Sequence, residues 1–133
     1  MQMQSIINRL LENPKIQTIA VINQLGKAAY AAIQYIDKYK NIYDILIDVT
    51  DLHFLVDGFS ISSIDRCNNR CRYVYLKKHK KYLHQILMGT TDGFATHHTS
   101  ENFTLDNRRS SLQVVPHNEH LLFHRRNKST KSI

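Results

Sequence analysis

The apolar residues of this 133-residue chain change their period near residue 41, which limits it to a fold mixing helices with strands. From Ser5 to Lys40 they recur at helical spacing. Ile6, Ile7, Leu10 and Leu11 come first, Pro14 interrupts, and Ile16, Ile19, Ala20, Ile22, Leu25, Ala28, Ala29, Ala32, Ile33 and Ile36 continue the pattern. This spacing predicts a short helix and a long one weakened at Gly26. The alanine-rich face of the long helix can pack against the rest of the chain, or against a second copy or a protein partner. Beyond residue 41 the runs "IYDILIDVT" (42 to 50), "HFLVDGFSI" (53 to 61) and "RCRYVYLKK" (70 to 78) are rich in β-branched and aromatic residues and predict strands, with Asp57-Gly58 as a turn. "HKKYLHQILMG" (79 to 89) predicts a short helix closing at Gly89.

A chain of this size buries one core without staples. "MQMQSIINRLLE" lacks the basic start and apolar run of a secretory signal, and no segment approaches 18 uncharged apolar residues. The expectation is a soluble, cytoplasmic protein with no membrane partner. Cys67 and Cys71, in "CNNRC", supply only two of the four ligands of a structural zinc, so free thiols in a reducing compartment are expected over a site completed by His79 and His84.

The net charge of +7 is unevenly placed. Residues 1 to 65 carry five Lys or Arg against seven acidic residues, and residues 66 to 133 carry thirteen against four. A basic C-terminal half is the electrostatic footprint of a polyanionic partner.

That half contains "ATHHTSENFTLDNRRSSLQVVPHNEHLLFHRR" (95 to 126). "GFATHH" predicts a strand ending at paired histidines, "TSENFTLDNRRS" a polar loop, "LQVV" a second strand, and Pro116 the entry of a helix. On that helix His120 and His124, at i and i+4, share a face and can place two imidazoles on one metal ion. Adjacent strand residues point to opposite sides, so His97 and His98 can take different tasks, one binding metal and the other reaching a water. Tyr73, Tyr75 and Tyr82 interleave with basic residues, which suits either a DNA groove or the core face of a strand.

The run "HHTSENFTLDNRRSSLQVVPHNEH", preceded by "KYLHQILMG", resembles the HNH (ββα-metal) endonucleases, especially the small phage- and intron-associated members. The resemblance is firm over residues 82 to 120 and looser upstream from about residue 42. It implies an α+β protein with an N-terminal helical segment (1–41) and an HNH nuclease domain (42–133). That domain would hold a small antiparallel sheet and a ββα-metal core at about 93–127. Carried over by position, it makes His98 the general base and His97 a metal ligand. His120 takes the motif's last ligand position, and His124 extends it to a His-x-x-x-His helix similar to that of the bacteriocin DNases. Asn107 matches the loop-fixing asparagine, and Arg108 and Arg109 match phosphate clamps, joined by Arg125, Arg126 and Lys128 in the basic tail. Ser111 stands where the family's middle asparagine falls. The implied function is metal-dependent hydrolysis of DNA with Mg²⁺, Mn²⁺, Ni²⁺ or Zn²⁺, in a bacterial host cell or encoded by a phage. The alternative is an HNH-derived module that binds DNA or inhibits a protein partner. His84 corresponds to a histidine found ahead of the motif in many relatives, and a packing or backbone-bonding role is expected of it.

Overall fold

The computed structural model describes residues 2–66, 69–91, 93–99 and 103–116, with the backbone alone at 64–66 and 69–70. Helix α1 (Met3–Leu11) turns Ile6 and Leu10, one turn apart, toward the interior and ends ahead of Pro14.

The long helix expected after Pro14 is absent. Residues 16–36 form an antiparallel hairpin of β1 (Ile16–Gln24) and β2 (Lys27–Ile36), with Ala20 opposite Ala32 and Ile22 opposite Tyr30. Gly26 turns the chain with φ +72°, a conformation that glycine reaches at no steric cost. Ala31, Ile33 and Tyr35, alternate residues of β2, are buried, which is the strand period of two. That period is hidden in the sequence because the opposite face is also apolar at Ala20, Ile22 and Ala32, so a spacing near 3.6 can be traced through the same letters. Intrinsic helix propensity of the alanines yields here to tertiary context.

Strand β2 is central, since β3 (Ile42–Asp48) pairs with its other side along the full register from Tyr30–Asp48 to Ile36–Ile42. The division expected at residues 41 and 42 therefore falls between neighbouring strands of one sheet. β3 is followed by a 3-10 turn, Val49–Leu55, which buries Leu52 and Leu55 three residues apart. The strand expected from residue 53 begins only past the Asp57-Gly58 turn, as β4 (Phe59–Arg66), paired with β5 (Asn69–Leu76) and then with the short β6 (Lys81–Tyr82). Helix α2 (Leu83–Leu87) matches the short helix expected there.

One core joins these parts. Ile33, Ile45 and Ile47 of the sheet pack with Ile6 and Leu10 of α1, Leu52 and Leu55 of the 3-10 turn, Val74 and Leu76 of β5, and Leu83 and Leu87 of α2. Each fully buried Ile or Leu contributes roughly 1.5–3 kcal/mol relative to exposure.

The last described strands are β7 (Phe94–His98), β8 (Asp106–Asn107) and β9 (Leu112–Pro116). β7 and β9 pair antiparallel, His98 opposite Leu112 and Phe94 opposite Pro116, as the sequence predicts. β8 joins the main sheet parallel to β3, giving the order β1-β2-β3-β8. The architecture is mixed α+β, mostly strands in small sheets. The helix expected after Pro116 lies outside the described residues. Among the described residues no helix is long and apolar enough to cross a membrane.

Candidate active site

Strand geometry separates the paired histidines. Thr96 and His98 are buried on the inner face of β7, while Ala95 and His97 lie on the other face and are half-buried. His98 is 5% exposed. Its Nε2 lies 3.3 Å from Oδ1 of Asn107, and Asn107 Nδ2 donates to the Leu105 carbonyl at 3.4 Å. The second bond fixes which way the asparagine amide faces. With Nδ2 donating to a carbonyl, the atom turned to His98 is the acceptor Oδ1, so Nε2 of His98 carries the proton. Nδ1 is then the basic nitrogen of the ring. Asn107 is itself 1% exposed and is held by the pairing of β8 with β3, which sets it beside Ile47.

The loop from β7 to β9 is closed by Ser111, the residue standing in the motif's asparagine position. Its hydroxyl donates to Asp106 Oδ2 at 2.8 Å, its amide to the Arg108 carbonyl at 2.8 Å, and its carbonyl accepts from the Thr99 amide at 2.9 Å. The shorter side chain thus braces the loop through Asp106, while Asn107 reaches the base.

Asp106 also receives Arg108 as a fork, Nε to Oδ1 at 2.9 Å and a terminal nitrogen to Oδ2 at 2.8 Å, with the Arg108 guanidinium 4.7 Å above the Tyr30 ring. Burial alone would raise the Asp106 carboxyl, but hydrogen bonds from Arg108 and Ser111 outweigh it and hold the group below the ordinary aspartate range. A depressed carboxylate contributes stability that is fully present above its unfolded value and is lost as pH falls through that value toward the folded one. Ser111→Ala is accordingly expected to cost about 1 kcal/mol at neutral pH. The difference from wild type should shrink once acid protonates Asp106, which urea melts from pH 7 down to pH 3 will read.

Arg109 is a clasp. Its guanidinium donates twice to Asp51, each at 2.9 Å, and once to the Leu87 carbonyl at 2.8 Å, while its amide donates to Asp48 at 3.2 Å. One side chain thereby joins the LDNRR loop to the 3-10 turn and to the end of α2. The expectation that Arg108 and Arg109 are phosphate clamps is corrected by this geometry, because both forks already engage carboxylates. A depression of about 760 Å³ lies beside them, lined by Gln24, Lys27, Asp48, Arg108 and Arg109 among others. Its arginine charges are balanced by Asp106 and Asp51, so it is not a strongly positive surface. The carboxylates that take the arginines were not singled out from sequence. The available signal was an acid inside an apolar run, Asp48 and Asp51 in "ILIDVTD", since an acid buried there needs a cation.

His84 is the other residue that the structure brings to the base. It is 8% exposed, and its ring centroid lies 4.7 Å from that of His98. Tyr73 touches both rings, at 5.4 and 5.7 Å, and Tyr82 stacks on His84. The tyrosines thus serve a buried aromatic cluster around His98, at least at Tyr73 and Tyr82.

A metal on His97 needs further ligands. Those the sequence supplies, His120 and His124, lie outside the described residues, as do Arg125, Arg126 and Lys128. Among the described residues no three His, Cys, Asp or Glu side chains converge as a metal ion requires. His97, half-buried on the face away from the core, has a donor suited to a divalent ion. Cys71 is a free thiol. Compared with family models, curated proteins and solved structures, the chain matches none.

Proposed function

We propose that the protein is a metal-dependent DNA endonuclease in which His98 is the general base. The observation that supports this reading best is the His98–Asn107 contact, which leaves Nδ1 as the ring nitrogen able to take a proton near neutral pH. His98 takes a proton from water, and the water oxygen attacks phosphorus in line with the departing 3′ oxygen. The products carry 5′ phosphate and 3′ hydroxyl ends. A divalent ion, which His97, His120 and His124 would hold, supplies charge stabilisation for the phosphate and the leaving oxygen. Asn107 sets the tautomer of the base, and Ser111 with Asp106 holds the loop that carries Asn107. With Arg108 and Arg109 engaged in ion pairs, contact with the phosphate backbone falls to Arg125, Arg126 and Lys128.

The test is plasmid cleavage with Mg²⁺, Mn²⁺ or Ni²⁺ and with EDTA, by wild type and by His98→Ala. Metal-dependent nicking or linearisation is expected, slowed on the order of 10²-fold or more by the substitution. Cutting in EDTA, or undiminished cutting by the variant, rejects the reading. DNA binding with no cutting under any condition assigns the chain to the class of HNH-derived binding modules instead.

A further inference from the structure

We propose that His84 is a positioning residue for His98, setting the plane of the base's ring. The inference rests on the nuclease reading above, but part of its test does not.

The reasoning begins with what the Asn107 contact leaves undetermined. An imidazole turns about its Cβ–Cγ bond, and that torsion is broad, without the narrow wells of an aliphatic side chain. Nε2 lies nearer that axis than Nδ1 does. A contact at Nε2 therefore limits the ring's reach more than its rotation, while Nδ1, the atom that takes the proton, swings with the rotation. A general base must be aimed at its proton within hydrogen-bond geometry. A second contact is needed on the flank of the ring.

His84 supplies a flat partner there. Its ring meets that of His98 at 4.7 Å between centroids with planes inclined by 57°, an aromatic pairing geometry rather than a loose aliphatic contact. His84 is itself over-determined. Tyr82 stacks on it at 5.7 Å with planes within 19°, and Tyr73 leans on it at 5.4 Å. The short helix that carries it is closed at its start by the Tyr82 amide donating to Gln85 Oε1 at 3.2 Å. At its end, Arg109 grips the Leu87 carbonyl, and beyond it a hydroxyl pair links Thr90 to Thr96 of β7, the strand that bears His98. The helix is thus tied both to the loop that supplies Asn107 and to the strand that supplies the base. Asn107 and His84 reach the same imidazole from elements that Arg109 fastens together.

The test compares His84→Phe, which keeps a flat ring, with His84→Leu, which fills space without one. In plasmid cleavage under saturating metal, Phe is expected to keep kcat within a few-fold of wild type. Leu should lower kcat by about 10-fold or more with KM unchanged within two-fold, as a misaimed catalytic group does. Wild-type kcat in His84→Leu, or a loss confined to KM, overturns the proposal. The second readout needs no activity. In protein labelled with ¹⁵N at imidazole, the His98 Nε2–H resonance should be sharp and slow to exchange in wild type and His84→Phe, and broadened in His84→Leu. An unchanged resonance in His84→Leu overturns the proposal even where wild type does not cut, and a changed one sustains the positioning role independently of the nuclease reading. Equal loss in both variants, with melting temperature lowered alike, identifies His84 as packing and also overturns it.

Discussion

Arg109→Met is expected to lower stability by about 3 kcal/mol, a fall in melting temperature on the order of 10 °C. The cause is Asp51, which is 3% exposed and has both carboxylate oxygens on Arg109. Methionine fills the volume of the arginine stem but leaves a buried charge without its counter-ion. It also releases the Leu87 carbonyl at the end of α2. The arginine is about half exposed, so water reaches the site and the cost sits near the lower end of the range for a broken buried pair. Arg109→Met/Asp51→Leu removes the stranded charge along with its partner and should recover a large part of the loss. A double-mutant cycle by urea unfolding is expected to give a coupling energy of about 1–3 kcal/mol. The measurement also decides between clasp and clamp. An arginine that mainly held phosphate would leave melting unchanged when replaced and weaken DNA binding at low salt.

The second large effect lies under the same site. Ile47→Ala should cost about 3–4 kcal/mol, against about 1 kcal/mol for Ile47→Val. Ile47 is 0% exposed, opposite Ala31 on one side and Asn107 on the other. Truncation leaves a cavity where the central sheet carries the two-residue strand that positions Asn107. The pair of variants separates lost methyl burial from lost site geometry. Denaturant midpoints give the stability change at unaltered slope, and single-turnover cleavage by the folded fraction of Ile47→Ala is expected to slow as well. A variant that unfolds at the wild-type midpoint would show that β3 is not the core strand described.

Local signals account for the parts that agree with the sequence. The strand ending at His97 and His98, the polar loop, the strand "LQVV" and the helix "LHQIL" each follow from period and punctuation within about ten residues. The opposite faces of His97 and His98 follow from the pleat alone. The N-terminal hairpin was not legible, because β1 and β2 are apolar on both faces and a helical period fits the same residues. Only pairing of β2 with β3 selects the strand conformation there. Arg108 and Arg109 read as phosphate ligands in a basic segment, since their carboxylate partners include residues some sixty positions upstream. Ser111 looked too short to replace an asparagine. The loop's own folding brings Asp106 to it, and Asn107 supplies the reach.

The sequence by itself determined a mixed α+β chain with a basic C-terminal half and two neighbouring histidines on opposite faces of one strand, because charge, pleat and local period are properties of nearby residues. Only the tertiary structure decided that residues 16–36 are a hairpin, that Arg109 clasps Asp51, and that Asn107 and His84 meet on His98. Each of these depends on residues distant in sequence becoming neighbours, and a buried charge or ring takes the partner that the packed core puts within reach.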